Sequence, residues 1–343
     1  MKRALFAILI GMAFCAHTLA RAEEITLTLG GDCVLGTREE WKQDADTFDT
    51  CIARNGLAYP FAQLLPVFEK DDMTLINLEC VLQADNAGHD SRKQHTFRGD
   101  PDYAAMLPLA SVEQVNIANN HTIDYRTAGM KSTKAALTAA GVPYSGNKEL
   151  YVWEIDGHKI GFGGCRETTF LASKPTVYRD IQKLKKLGCD VIIYSCHWGK
   201  EYSPTHNKTQ ERMAQYAVNS GADIVVGTHP HVVQGVETRK SKDGTHSALV
   251  LYSLGNLVFG GTHDMQTFDA MLARLTLRFA DDGTYLGVGL ELLPVLTSGD
   301  APRNNFQPVL AQGDDAARIL GLVQDAIAGP PRTNKPTVQG RPM

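Results

Sequence analysis

The chain has 343 residues, of which 43% are hydrophobic and 21% are charged, a composition typical of a globular protein with one or two domains. Its formal net charge of −4 gives no basic surface of the kind that nucleic-acid-binding proteins use. Beyond the N-terminus no apolar run approaches transmembrane length, so the pattern excludes a nucleic-acid-binding protein and a protein with several membrane spans.

The first 22 residues have the pattern of a secretory signal. Lys2-Arg3 is basic, residues 4–16 are apolar, and Ala20-Arg21-Ala22 offers a small-x-small cleavage site. We therefore predict a signal peptide over residues 1–22 and export to the periplasm or cell envelope. Cleavage would remove three of the 34 basic residues and no acidic one, which leaves 31 basic against 38 acidic. The alternatives are an uncleaved anchor, for which the apolar run is short, and a lipoprotein modified at Cys15.

Six of the seven cysteines would remain after cleavage. An even number in an oxidising compartment permits disulfides, while the spacings match no zinc-finger pattern. Cys33 and Cys51 lie in one loop-rich stretch and are the favoured pair. Buried free thiols are the equal alternative.

Strands alternate with helices through the first half of the mature chain. The predicted elements are a strand over 25–29, a polar irregular insert over 36–59, a helical segment over 61–69, a strand over 73–78, a polar loop over 83–96, a helix over 101–110, a strand over 114–118, a helix over 128–140 and a hairpin over 151–163.

The second half repeats the alternation. The predicted elements are a helix over 181–187, a strand over 191–196, a helix over 209–219, strands over 224–226 and 249–253, an antiparallel region over 270–295 and a terminal helix over 316–328. Residues 330–343 are Pro-rich and are predicted to be disordered. The alternation predicts a single α/β layered domain over residues 23–329.

Five of the predicted strands end in side chains that can bind metal ions. These are Asp32, Glu79, Asn120-His121, His197 and the pair His229/His231. Because the carboxyl ends of strands line the ligand crevice in open α/β sheets, we expect these side chains to share one site.

The pentapeptide Gly227-Thr228-His229-Pro230-His231 is the most distinctive of these clusters. It follows an apolar run over 224–226, so imidazoles at i and i+2 are expected to project from the same side of the backbone. Two neutral imidazoles so placed suit a transition-metal ion, whereas two solvated loop histidines are the alternative for this motif alone.

The combined set holds two carboxylates, one amide and up to four imidazoles. Such a mixture suits manganese, iron or zinc, and it exceeds what one ion takes. It would suit two ions bridged by a carboxylate, an arrangement that recurs in phosphoester hydrolysis.

Six ordered strings carry a resemblance to a known family. They are Gly31-Asp32, Asn77-Leu78-Glu79, residues 118–125, residues 197–202, residues 221–231 and residues 252–256. Together they resemble the bacterial capsule synthesis protein CapA family, also called the poly-γ-glutamate biosynthesis family, from about Thr26 to Phe259. The resemblance implies a four-layer α/β/β/α sandwich of metallophosphatase type around a dimetal centre.

The resemblance also implies roles for these residues. Asp32 and His231 would bind the first ion, Asn120, His197 and His229 the second, and Glu79 would bridge them. His121 would be the general acid. Val34 stands where the wider superfamily commonly has a histidine, so we expect one tightly held ion and one weak or empty position.

Further candidates rest on single residues. Arg98 and Arg166 could bind a phosphate or carboxylate, and Asn256 falls near the site if the fold is right. Asp124 could orient His121, although capping the following helix is the favoured reading.

Two functions fit these observations. The first is a metal-dependent hydrolase of the cell envelope that acts on a phosphoester or a polymer bond such as a γ-glutamyl amide. The second is a non-catalytic component of poly-γ-glutamate synthesis or export with a partial metal site, which Val34 favours. The expected partners are an anionic polymer or phosphoester and capsule-synthesis membrane proteins, and no nucleic acid. The chain has no nucleotide-binding loop of the Gly-x-x-x-x-Gly-Lys-Ser/Thr type, which argues against an ATP-driven ligase.

Overall fold

A computed structural model describes residues 23–328, so the predicted signal segment and Pro-rich tail lie outside the described residues. The strands are β1 Glu23–Val34, β2 Thr37–Arg38, β3 Met73–Leu78, β4 Val81–Leu82, β5 Phe97–Gly99, β6 Gln114–Asn116, β7 Tyr144–Ser145, β8 Tyr151–Ile155, β9 His158–Arg166, β10 Val191–His197, β11 Ile224–Thr228, β12 Val236–Lys240, β13 Ser247–Leu251, β14 Asn256–Phe259, β15 Asp269–Phe279, β16 Tyr285–Leu296 and β17 Val309–Leu310. The α-helices are α1 Phe48–Asn55, α2 Leu65–Phe68, α3 Met106–Leu109, α4 Arg126–Ala139, α5 Glu167–Ala172, α6 Pro175–Lys186, α7 Lys208–Ser220 and α8 Gly313–Ala328.

These strands form two large mixed sheets and one small one. The first runs β17-β16-β15-β1-β3-β6-β7, with β14 also paired to β1, and the second runs β12-β13-β11-β10-β9-β8. The strands that carry the candidate site are parallel to their neighbours: β1 to β3, β3 to β6, and β10 to β11. A three-stranded sheet, β2-β5-β4, lies apart from both.

Three hydrophobic cores separate four layers. Between the sheets, Leu27 of β1 belongs to the same buried cluster as Phe162 of β9. The other face of the first sheet packs on helices through residues such as Phe48 and Leu137, and the outer face of the second sheet packs on α5 to α7 through residues such as Met213. The order is α/β/β/α, and the predicted four-layer fold is confirmed.

The polar insert over 36–59 is less irregular than the sequence indicated. It contains α1, which begins after Thr47: the Thr50 N–H donates to Thr47 Oγ1 at 3.3 Å, and the Thr47 N–H donates to Thr50 Oγ1 at 2.9 Å. Only Phe48 and Ile52 of this helix are buried, so its apolar periodicity is too weak to reveal it. Conversely, the helical segment predicted over 61–69 shrinks to the single turn of α2.

All six cysteines of the described residues are free, so the favoured Cys33–Cys51 pair is wrong. Cys33 is buried at the end of β1, and burial raises the pKa of its thiol well above the usual value. Cys51 lies on α1, where its Sγ accepts a hydrogen bond from Asn55 Nδ2 at 3.4 Å. Within residues 23–328 no helix is long and apolar enough to cross a membrane.

Candidate metal centre

The backbone of β1 approaches its neighbour closely where the site begins. A Cβ on Gly31 would lie 2.0 Å from the carbonyl oxygen of Gly255, so only glycine fits there. The next N–H, that of Asp32, donates to the same carbonyl at 2.9 Å. This contact places Asp32 beside Asn256, its register partner on β14.

The predicted metal ligands come together at the carboxyl ends of the strands. Ligand-type atoms of Asp32, Glu79 and His197 lie within 4.8 Å of one another, and so do those of Glu79, His229 and His231. The sixth predicted ligand is adjacent, because Asn120 Oδ1 lies 2.6 Å from His197 Nε2. Glu79 belongs to both groups, as a bridging carboxylate would; the division into two ion positions stays a prediction.

Glu79 provides the test of whether the residues fit a metal ion. Its side chain is fully buried, and neither carboxylate oxygen has a hydrogen-bond partner. Burial, together with the charge of Asp32, raises the pKa of Glu79 well above its usual value. Because a buried carboxylate without partners is costly, a divalent cation is the group that would complete this site. The mixed oxygen and nitrogen donors fit such an ion.

Two of the histidines are held in the neutral form that metal ions require. Burial lowers the pKa of His197 well below its usual value; its Nδ1 lies 3.0 Å from Thr228 Oγ1 and its Nε2 lies 3.3 Å from Glu79 Oε1. Burial and the neighbouring His231 lower the pKa of His229 to about 4, and its Nδ1 is buried without a partner. Both rings are therefore available as nitrogen donors.

His231 is held by one residue of β1 and one of β14. Its Nδ1 lies 2.9 Å from Asn256 Oδ1 and 3.2 Å from Asp32 Oδ2. Burial alone would lower the pKa of His231, but the hydrogen bond with Asp32 raises it above its usual value. Asn256 is buried and orients an imidazole, which does not favour its predicted role in substrate binding.

The backbone of the histidine pair differs from the expected extended one. β11 ends at Thr228, and His229 and His231 have φ values of 97° and 57°. Such values are unusual for residues with a side chain and occur at sites that hold strain for function. The turn is fixed by the His229 N–H, which donates to Asp32 Oδ2 at 3.0 Å, and by the Tyr202 N–H, which donates to the Pro230 carbonyl at 2.7 Å.

Asp124 binds the predicted general acid. Its Oδ2 lies 2.8 Å from His121 Nδ1 and also accepts the Phe97 N–H at 2.8 Å, while Oδ1 accepts from Lys93 Nζ. The residue before α4 is Tyr125 and no side chain caps that helix, so the N-cap reading of Asp124 is wrong. Because a carboxylate accepts only, the ring carries its proton on Nδ1 and directs Nε2 elsewhere.

The site opens into a cavity of about 950 Å³. Sequence reasoning missed Arg38, which lines it: its guanidinium lies 4.4 Å from the Trp41 ring and its Nε is buried without a partner. Arg38 sits in the polar insert, where no periodicity marks it. The predicted ligands and catalytic residue on the wall are Asn120, His121, His229 and His231.

The two arginines predicted to bind substrate lie elsewhere. Arg98 binds Glu39 at 2.8 Å and donates to the carbonyl of Ala84 at 2.9 Å, so its donors are committed to the fold. It does not line the central cavity. Arg166 lines a separate cavity of about 250 Å³, and its Nε is buried without a partner.

A buried amide network behind the centre was also missed. Asn77 Nδ2 donates to Asp32 Oδ1 at 2.7 Å, and Asn116 and Asn119 both donate to Asn77 Oδ1. Asn119 in turn accepts the His121 N–H at 3.1 Å, which fixes the turn that carries the general acid. The sequence signal that could have revealed this network is Asn77, an amide within the mostly apolar run of β3.

Comparisons place the chain among known proteins. Residues 26–261 match the family described as bacterial capsule synthesis protein PGA_cap. The capsule biosynthesis protein CapA of Bacillus anthracis is 28% identical, over 90% of this chain and 75% of the relative. The PGA biosynthesis protein CapA of Bacillus subtilis is 28% identical, over 58% of this chain and 56% of the relative. A probable polyglutamine synthesis accessory protein of Mycobacterium tuberculosis is 25% identical over 80% of this chain and 85% of the relative.

Among solved structures, the protein TT1561 of Thermus thermophilus aligns with 79% of this chain and 98% of its own. The identity is 10% and the TM-score 0.42, a likeness too weak to inform fold or function.

Proposed function

Because the chain belongs to the bacterial capsule synthesis protein PGA_cap family, we propose that it acts in capsule biosynthesis as a metal-dependent hydrolase of a phosphoester or polymer bond. Relatives named for capsule and PGA biosynthesis support the pathway. We further propose that it works at the cell envelope after cleavage at Ala22. Its partners would be an anionic polymer or phosphoester and the membrane proteins of capsule synthesis.

The observation that carries this proposal is the fully buried Glu79 carboxylate, neither oxygen of which has a hydrogen-bond partner, near the imidazoles of His197 and His229, whose pKa values are lowered by burial. A purely structural glutamate would be paired or exposed. Beside it stands His121, bound to Asp124 at 2.8 Å and facing a large cavity. Metal-type donors and an oriented imidazole in one cavity are the parts that hydrolysis requires.

Different residues of the site would bind the metal ion, transfer the proton and bind the substrate. Asp32, Glu79, Asn120, His197, His229 and His231 would hold manganese, iron or zinc. Such an ion would supply Lewis acidity and would activate water at neutral pH. Asp124 keeps a proton on His121 Nδ1 and stabilises the imidazolium; in that form Nε2 would pass its proton to the leaving group, and the ring would keep the proton on Nδ1. Arg38, on the cavity wall, would bind an anionic part of the substrate.

The alternative is a non-catalytic polymer-binding or export component with a partial metal site. Val34 favours it: this side chain is fully buried two residues after Asp32 and offers no donor. One ion position would then be short of a ligand, and metal would serve to hold polymer.

A hydrolysis assay of the metal-loaded mature protein distinguishes the catalytic function from the non-catalytic one. A screen of phosphoesters and poly-γ-glutamate should find turnover that falls about 10²- to 10⁴-fold in His121→Asn, because that variant lacks the proton donor. His246→Asn is the matched control, since its Nε2 binds the Ala222 carbonyl outside the centre. Metal bound without turnover of any of these substrates would favour the non-catalytic alternative.

A further inference from the structure

A groove beside the metal centre carries an excess of positive charge. Two adjoining cavities of about 250 and 290 Å³ share Ile123 and Met130 as lining residues. Ile123 is 39% exposed and lies two residues from His121 of the central cavity. We call the two cavities together the cationic groove; its basic lining residues are Arg92, Arg126, Lys148 and Arg166.

One carboxylate offsets part of this charge. Asp90 accepts from Arg92 Nε and Nη2, both at 2.8 Å, and lies 3.5 Å from Arg126. The groove lining still holds three more basic than acidic side chains, on a chain whose formal net charge is −4. Such local clustering on an acidic protein attracts anions.

Arg166 lines the groove with N–H groups that no protein acceptor within residues 23–328 takes. It ends β9, next to His197 in the register of β10, so it stands on the same carboxyl edge as the metal centre. Its Nε is buried without a partner, and among the described residues it makes no salt bridge. A half-buried guanidinium with free N–H groups in a cavity suits a carboxylate or phosphate, which it can bind through two hydrogen bonds.

The turn that carries Lys148 also supports anion binding in the groove. Gly146, Asn147 and Lys148 have φ values of 99°, 54° and 78°, so two successive residues with side chains adopt a left-handed backbone. Asn147 Nδ2 donates to the Ile117 carbonyl at 2.7 Å, which holds the turn in place. Strained turns of this kind persist where they position functional groups.

We propose that the cationic groove binds successive carboxylates of an extended anionic polymer beside the metal centre. Several separated cations suit a chain better than a single small anion, and the apolar floor of Ile123 and Met130 can cover the aliphatic spacers between carboxylates. The choice of polymer rests on the proposed function, because the relatives are named for polymer biosynthesis. The positive charge and the unpartnered Arg166 do not depend on it.

Fluorescence anisotropy of labelled oligo-γ-glutamate tests this groove in the metal-free and metal-loaded mature protein. The variant Lys148→Met/Arg166→Met should bind the oligomer at least about tenfold more weakly, because it loses charge-assisted hydrogen bonds. The matched control Lys208→Met/Arg212→Met removes the same charge from exposed positions of α7 and should change affinity less than about twofold. Melting curves establish that both variants are folded.

Equal weakening by both double variants, or no effect of either, would overturn the inference. Competition provides the second arm: if inorganic phosphate or glutamate displaces the labelled oligomer as well as unlabelled oligomer does, the groove binds single oxyanions and the polymer assignment is wrong. Groove-dependent binding without hydrolysis would refute the catalytic proposal alone. Hydrolysis without groove-dependent binding would refute the groove alone.

Discussion

Nδ2 of Asn77 donates a hydrogen bond to Oδ1 of Asp32 at 2.7 Å, and both side chains are buried. A neutral amide on β3 thus orients a carboxylate on the neighbouring β1, while Asn116 and Asn119 hold that amide through its own oxygen. The position of Asp32 is therefore set before any ion binds. Networks of this kind orient the residues that contact a metal.

Asn77→Ala should destabilise the protein by about 2–4 kcal/mol, because it leaves several buried donors and acceptors without partners. Chemical denaturation measures this, with Asn55→Ala as the control on an exposed position of α1. The variant should also bind metal more weakly at the position that Asp32 would hold. A loss no larger than that of the control would show that the network does not hold the site.

Glu79→Gln should change metal-free and metal-loaded stability in opposite directions. Without metal, removal of a fully buried carboxyl group, whose pKa burial raises well above its usual value, should raise the melting temperature at neutral pH. With metal, the stabilisation gained on adding the ion should fall, since the variant loses a shared donor. Thermal melts with and without manganese or zinc measure both. A lower metal-free melting temperature together with unchanged metal stabilisation would contradict the proposed role.

Asp124→Asn should lower kcat by about 10²-fold or more while KM and metal content stay near those of the unmodified protein. The change allows the wrong tautomer of His121, whereas metal ligands and the cavity remain in place. Steady-state kinetics and metal analysis test this on any substrate that the screen finds. A change confined to KM would show that Asp124 acts on binding instead.

Asp71 provides a pH test away from the metal centre. Burial raises its pKa from the ordinary 3.8 to about 6, and Thr74 Oγ1 donates to its Oδ2 at 2.9 Å. The folded state holds this proton more tightly than the unfolded state, so stability is lost as pH rises from about 4 to about 6. Asp71→Asn should therefore match the unmodified protein below pH 4 and melt at a higher temperature above pH 6. A difference in melting temperature that is constant over this range would refute the assignment.

The sequence predicted the fold best where burial is complete. β3 begins and ends as expected because every one of its residues is buried and the run is mostly apolar. α1 was missed because only two of its residues face the core, and its start depends on the reciprocal Thr47 and Thr50 hydrogen bonds. Such local hydrogen bonds leave little trace in a hydrophobic pattern.

The candidate site was also predictable from the sequence in some features and not in others. Ligands at strand ends were predictable, because parallel strands bring their carboxyl ends to one edge. The left-handed backbone of His229 and His231 was not, since it depends on contacts with Asp32 and Tyr202, which are distant in sequence. The sequence places Asp124 three residues after His121, a spacing that fits both a carboxylate that orients the His121 ring and one that caps α4. Only the structure distinguishes these two roles, because it shows the contact with His121 Nδ1 and no side-chain cap on α4.

Calorimetric titration of the metal-free mature protein with manganese or zinc tests the central claim most directly. We predict one tight and one weak binding step. His197→Ala or His229→Ala should abolish the tight step, Asp32→Ala should leave it largely in place, and Glu79→Gln should weaken both, because Glu79 would bridge the two ions. Two equally tight steps would refute the reasoning from Val34, and the absence of any binding would contradict the metal centre itself.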